Sequence, residues 1–137
     1  MYYNYTTTCI GSELEGTQNL VAYGTGANAQ EAQEQAIKNA LNDVIFKGIT
    51  AGKLGCAIKP LVFEVNAKEK NENFFSNFFS KNGDYNKYVL FTREVALDKE
   101  IQKTHNSIQG TLKGVVIKVL LSNLKQKLVQ EGIIKSI

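Results

Sequence analysis

Residues 19–49, NLVAYGTGANAQEAQEQAIKNALNDVIFKGI, constrain this chain more than any other segment. They read as a β-strand that turns on two glycines into a long, alanine-rich amphipathic helix. Ala29, Ala32, Ala36, Ile37, Ala40, Leu41, Val44 and Ile45 recur at helical spacing, and Gln30, Glu34, Lys38, Asn42 and Asp43 fall largely on the other side. Asn28 is placed to cap the helix, with Glu31 three residues on completing a capping box. Gly48 stands where a helix stops. Small residues on the buried side let such a helix lie close against a sheet.

The same glycines invite a second reading. Gly24-Thr25-Gly26-Ala27-Asn28-Ala29 fits G-x-G-x-x-A, the turn that brings backbone amides to a pyrophosphate at a helix N-terminus. That motif also requires a parallel strand after the helix, ending in an acid roughly 20 residues on. Here the helix runs into the loop Gly48-Ile49-Thr50-Ala51-Gly52-Lys53-Leu54-Gly55, and Asp43 lies inside the helix. The phosphate loop G-x-x-x-x-G-K-[ST] is absent too, because Leu54 follows Gly52-Lys53. The packing interpretation therefore leads, and nucleotide binding at the Gly24–Gly26 turn is kept as a second alternative.

The rest of the chain fits an α+β domain: an antiparallel sheet with the long amphipathic helix across one face, plus two shorter helices. Residues 1–16 read as an N-terminal arm, with an edge strand conceivable over 2–9, and 17–137 as a single domain. Strands are expected at 17–24, 85–98 and 111–121. A shorter helix is expected over 66–81, and a final one capped by Ser122, with Leu124, Leu128 and Val129 inward and Gly132 closing it. Residues 57–62, with the sole proline, read as a crossing loop, and Asn82-Gly83-Asp84 as a turn. At 137 residues and 43% hydrophobic content the chain has enough core to fold unaided.

Charge excludes little. Net charge is +3, and the lysines from Lys99 onward (Lys103, Lys113, Lys118, Lys125, Lys127, Lys135) come without an arginine cluster or interleaved aromatics. They read as a solvated face, and nucleic acid is not an expected partner. No apolar run approaches the ~20 residues that span a bilayer. The start, MYYNYTTTC, lacks the basic and apolar segments of a secretion signal, so the expected location is cytoplasmic as synthesised, with incorporation into a virion or other assembly open. Cys9 and Cys56 would pair in an exported chain and read as free thiols in a reducing compartment.

No enzyme chemistry is nominated. Glu13, Glu15, Glu64, Glu94 and Asp98 are scattered, no nucleophile has a base, and no cofactor or metal is expected. His105, the one histidine, sits among Thr104, Asn106 and Ser107 with no further ligand. It belongs, with Lys103, to the polar connection 99–110, which is too long for an ordinary hairpin and suits a contact arm. Phe74, Phe75, Phe78 and Phe79 present a broad apolar face, read first as core and otherwise as a docking patch. Tyr2, Tyr3 and Tyr5 suit an interface, where apolar area with a polar tip is useful, and an arm bearing them could add to a neighbour's sheet edge. The expected interaction residues are these tyrosines, the four phenylalanines, Lys103 and His105.

The run AYGTGANAQEAQEQAIKNAL (22–41) resembles the strand-glycine-helix segment of a domain in small bacterial outer-membrane lipoproteins and in a flagellar-assembly protein, where a GyG.a.s.eeA...A...A pattern is typical. The fuller chain, from about residue 18, resembles a group of proteins from Bacteroides-type gut bacteria and their tailed phages, through VIFKGI (44–49), Cys56 with 59–62, FFSNFF (74–79) and QEGIIKSI (130–137). The resemblance implies a strand-helix-strand-strand sheet and a module that oligomerises or binds partners. The expected function is thus a non-enzymatic structural or assembly subunit of an oligomeric complex, such as a ring or connector of a phage tail. A cell-envelope, lipoprotein-like module that binds a partner or ligand is the first alternative.

Overall fold

A computed structural model describes residues 7–13, 16–52, 59–64, 66–95 and 111–134. The expected arm residues Tyr2, Tyr3 and Tyr5, the connection holding Lys103 and His105, and Cys56 all lie outside the described residues. The chain is α+β, with four antiparallel strands and helices packed on one face. The strands are β1 (Thr8–Glu13), β2 (Thr17–Gly26), β3 (Ala51–Gly52), β4 (Val89–Val95) and β5 (Thr111–Leu120), and the sheet order is β3-β1-β2-β5-β4. Only the two-residue β3 runs parallel to its neighbour, β1. The helices are α1 (Ala29–Asn42), α2 (Ala67–Lys70), α3 (Glu72–Phe78) and α4 (Leu121–Gln130).

Helix α1 forms where the pattern places it. Asn28 is extended, and its side chain accepts from the Glu31 amide at 2.9 Å. The Glu31 carboxylate reaches back to the Ala27 amide at 3.0 Å, so the box closes one residue before the cap. Ala32, Ala36, Ile37, Ala40 and Leu41 are buried, as expected, while Ala29 stays exposed. The helix continues into a π-helical turn, Asp43–Lys47, with the Gly48 amide bonded to the Asp43 carbonyl at 2.6 Å. This widened turn leaves two carbonyls to outside donors: the Leu61 amide reaches Val44 and the Val62 amide reaches Ile45, at 3.2 and 2.9 Å. The loop after Pro60 is pinned to the helix end in this way. Gly48 closes the turn with φ 81, a value that favours glycine.

The α1-facing side of the sheet carries Cys9, Leu20, Ala22, Val115, Ile117 and Val119, all essentially inaccessible to solvent. The opposite side carries Val21, Tyr23, Leu112, Gly114 and Val116. The Tyr23 ring covers Gly114 there, because a Cβ on Gly114 would lie 2.8 Å from the ring carbon Cε1. The core is extended by Phe75, Phe78, Tyr85, Leu124, Leu128 and Ile133.

Several expectations are corrected. Residues 8–13 are not part of an arm, since β1 lies between β2 and β3 and sends Cys9 into the core. The expected helix over 66–81 is two short helices broken at Asn71. Residues 84–88 form a 3-10 helix that continues the Asn82-Gly83 turn, so the strand starts only at Val89. Ser122 does not cap α4: the helix begins at Leu121 directly from β5, and the Ser122 side chain lies against Gly16, where a Cβ would be 2.2 Å from its Oγ. Leu124 and Leu128 are buried and Val129 is half-buried, with Gly132 at φ 74 beyond the helix end. Cys9 is disulfide-bonded, which overturns its expectation as a free thiol. Among the described residues, no helix is long and apolar enough to cross a membrane.

Candidate interaction surface

The phenylalanine cluster is built by the break at Asn71. Two short helices at that break fold the aromatic run back over the end of α1. Phe75 and Phe78 are buried, at 3% and 2% exposure, and Phe74 and Phe79 are half-buried against the same core. Phe46, from the π turn, meets Phe75 edge-on at 4.9 Å, and Phe78 meets Phe79 edge-on at the same distance. Edge-to-face pairs of this kind add to the area they bury. Phe78 also neighbours Tyr88, and Phe79 neighbours Tyr85. The cluster is a lobe of the core, and the docking-patch alternative is corrected for Phe75 and Phe78, which have no surface left to offer.

Tyr85 ties this lobe to the solvent side of α1. Burial pushes its phenol pKa up, a trend aided by Glu34 and opposed by a hydrogen bond with Asn86. Lys38 Nζ sits 5.3 Å from the centre of the same ring.

A groove of about 710 Å³ runs between α1 and the α2–α3 pair, lined among others by Gln35, Asn39, Asn42, Lys68, Glu72 and Phe79. Its polar groups are engaged with the protein itself. Gln35 donates to Asn39 at 2.8 Å, Asn39 donates to the Tyr23 carbonyl at 2.9 Å, and Lys68 donates to Asn42 at 3.2 Å while lying over the Phe46 ring. A smaller hollow of about 420 Å³ continues past Phe63, which is 73% exposed. No group of three or more His, Cys, Asp or Glu residues able to hold a metal occurs among the described residues. Carboxamides already paired within the fold leave the groove little capacity to activate a bound molecule.

The glycine turn is filled from within the chain. Gly24 and Gly26 face α1, and a Cβ on either would lie 2.2 Å from the Ala36 amide nitrogen or 2.6 Å from that of Ala32. The amides of Ala27 and Glu31 are taken by the capping box, which also places the Glu31 carboxylate at the helix N-terminus. A negative charge there complements the helix dipole and disfavours a second anion.

The feature with free bonding capacity is the sheet's outer edge. Strand β4 ends the sheet, with β5 on its only paired side. From Leu90 to Glu94 every residue is exposed, including Leu90 at 54% and Phe91 at 46%. Thr92 forms a bulge opposite β5, where the register shifts between Phe91 and Arg93. As a result Val89, Phe91 and Glu94 point to the helix side, while Leu90, Arg93 and Val95 point to the open side, following their β5 partners. Glu94 meets Lys113 on the helix side at 3.5 Å. The expected interaction residues do not include this edge, because a run of mixed polarity that is exposed on both faces has no periodic signal.

No protein-family model, no curated protein and no solved structure matches this chain.

Proposed function

We propose that this chain is a non-enzymatic structural subunit of an oligomeric protein assembly. The observation that carries this reading is the β4 edge: a seven-residue strand with an unpaired outer side and two large exposed apolar residues. Edge strands of soluble proteins are ordinarily shortened, charged or covered, because their free amides and carbonyls template pairing with other chains. The other edge of this sheet follows that rule, ending in the two-residue β3. The groove, by contrast, has its polar groups satisfied internally, which supports a surface that associates over one that transforms a ligand. A ring or connector of a phage tail is the particular form suggested by the family resemblance. Mass photometry over a dilution series tests the proposal. Species heavier than 15.2 kDa that dissociate on dilution are expected, and a strict monomer at every concentration overturns it.

The cell-envelope alternative has one observation in its favour. Cys9 is disulfide-bonded, and such bonds persist in oxidising compartments. Intact-mass analysis of the natively produced protein, alkylated without reduction, distinguishes the two settings. Retention of the disulfide in the native source places the subunit in an envelope or extracellular assembly, and two alkylated thiols remove that alternative.

A further inference from the structure

We infer that β4 is a self-recognition edge: it pairs antiparallel with β4 of a second copy about a two-fold axis, joining two sheets into one. This inference rests on the assembly reading above and names its surface and its partner.

The partner follows by elimination among the strands and from the strand's own sequence. A head-to-tail contact through sheet edges would join β4 to β3, but β3 is two residues long and ends in Gly52 at φ 122, a conformation outside the strand region. Only β4 offers length, so the contact available to two described strands is β4 with itself, which is isologous and closes.

Register then follows from the bulge. In antiparallel pairs, directly opposite residues share a face of the sheet. A two-fold axis through Thr92 would set Phe91, on the helix side, against Arg93, on the open side, and an axis between Arg93 and Glu94 mismatches that pair likewise. Axes through Arg93 or Glu94 oppose like charges. Two six-residue registers keep the faces matched. One sets Leu90 against the partner's Arg93. The other sets Leu90 against the partner's Val95, Phe91 against its Glu94 and Thr92 against its Arg93. The second joins apolar to apolar on the open side and separates like charges, so the geometry favours it. It would cover Leu90, the more exposed of the two apolar residues of this edge.

The test uses the full chain. In the double variant Leu90→Cys/Val95→Cys the two positions of one copy are five residues apart, about 16 Å along a strand, which is beyond the reach of a disulfide. Between copies in the favoured register they face each other. Mild oxidation should give a covalent dimer on a non-reducing gel, whereas Leu90→Cys/Glu94→Cys, with the pair on opposite faces, should not. A single Leu90→Lys variant should weaken self-association at least tenfold with an unchanged circular dichroism spectrum and melting temperature, since Leu90 is exposed in the single chain. If wild type associates but none of these variants alters or traps the complex, the β4 pairing is wrong and the assembly reading stands on another surface. Cross-linking by Leu90→Cys/Arg93→Cys in place of Leu90→Cys/Val95→Cys overturns the register. If wild type never associates, the assembly reading itself fails.

Discussion

An added Cβ on Gly24 would lie 2.2 Å from the backbone nitrogen of Ala36, so α1 rests on β2 with no room for a side chain between them. The alanine stripe of the helix and the glycines of the strand are two halves of one contact. Backbone cannot yield as a flexible side chain does. Gly24→Ala is therefore expected to cost about 2–3 kcal/mol through overpacking. Gly11→Ala, whose Cβ would meet only Asn19 Nδ2 at 3.8 Å, should stay within about 0.5 kcal/mol. Urea unfolding of both variants checks the contrast. A neutral Gly24→Ala would mean that the helix does not sit this close.

The aromatic lobe predicts a division among phenylalanines. Phe75→Ala and Phe78→Ala each remove a buried ring and should destabilise by about 3–5 kcal/mol. Phe63→Ala, at a 73% exposed position, should lie within about 0.5 kcal/mol. Thermal melts of the three variants would expose an error in the assignment if Phe63 proved the costly one.

Tyr85 predicts an alkaline dependence. Its pKa is raised in the folded chain by burial, so the unfolded chain releases the phenol proton first as pH rises. Stability owed to the neutral phenol is full below the ordinary phenol value of 10.0 and is lost as pH climbs through and above it. Tyr85→Phe should flatten the fall in unfolding free energy between about pH 9.5 and 11. A variant with the wild-type slope would show that another group carries it.

The disulfide at Cys9 fixes β1, which buries that residue beneath α1. Reduction is expected to lower stability by about 2–4 kcal/mol, the usual effect of releasing a covalent constraint on the unfolded chain. Calorimetry with and without a phosphine reductant measures it, and identical transitions would deny the bond a structural role.

The legible parts of this fold are those with period and punctuation in register. The helix from Ala29 announces itself by spacing, by Asn28 with Glu31, and by Gly48, and β5 by its continuous apolar run. Strand β1 escaped because its bulge near Ile10 breaks the alternation, leaving TCIGSE to resemble a turn. The 3-10 helix at 84–88 was obscured by strand-forming tyrosines, one of which, Tyr85, points into the core instead. Ser122 looked like a cap, but tertiary packing on Gly16 claims its side chain. The β4 edge was illegible for a different reason: which strand lies outermost depends on topology, and the residues of an edge carry no mark of it.

Hydrogen exchange of the peptide spanning Val89–Val95, measured at several protein concentrations, tests the proposed self-recognition most directly. Outward amides of β4 have no partner in the single chain and gain one only when a second strand arrives. Exchange in this peptide should slow as concentration rises, while that of α1 stays constant. Unchanged β4 exchange across a range in which the mass of the complex grows would contradict the account.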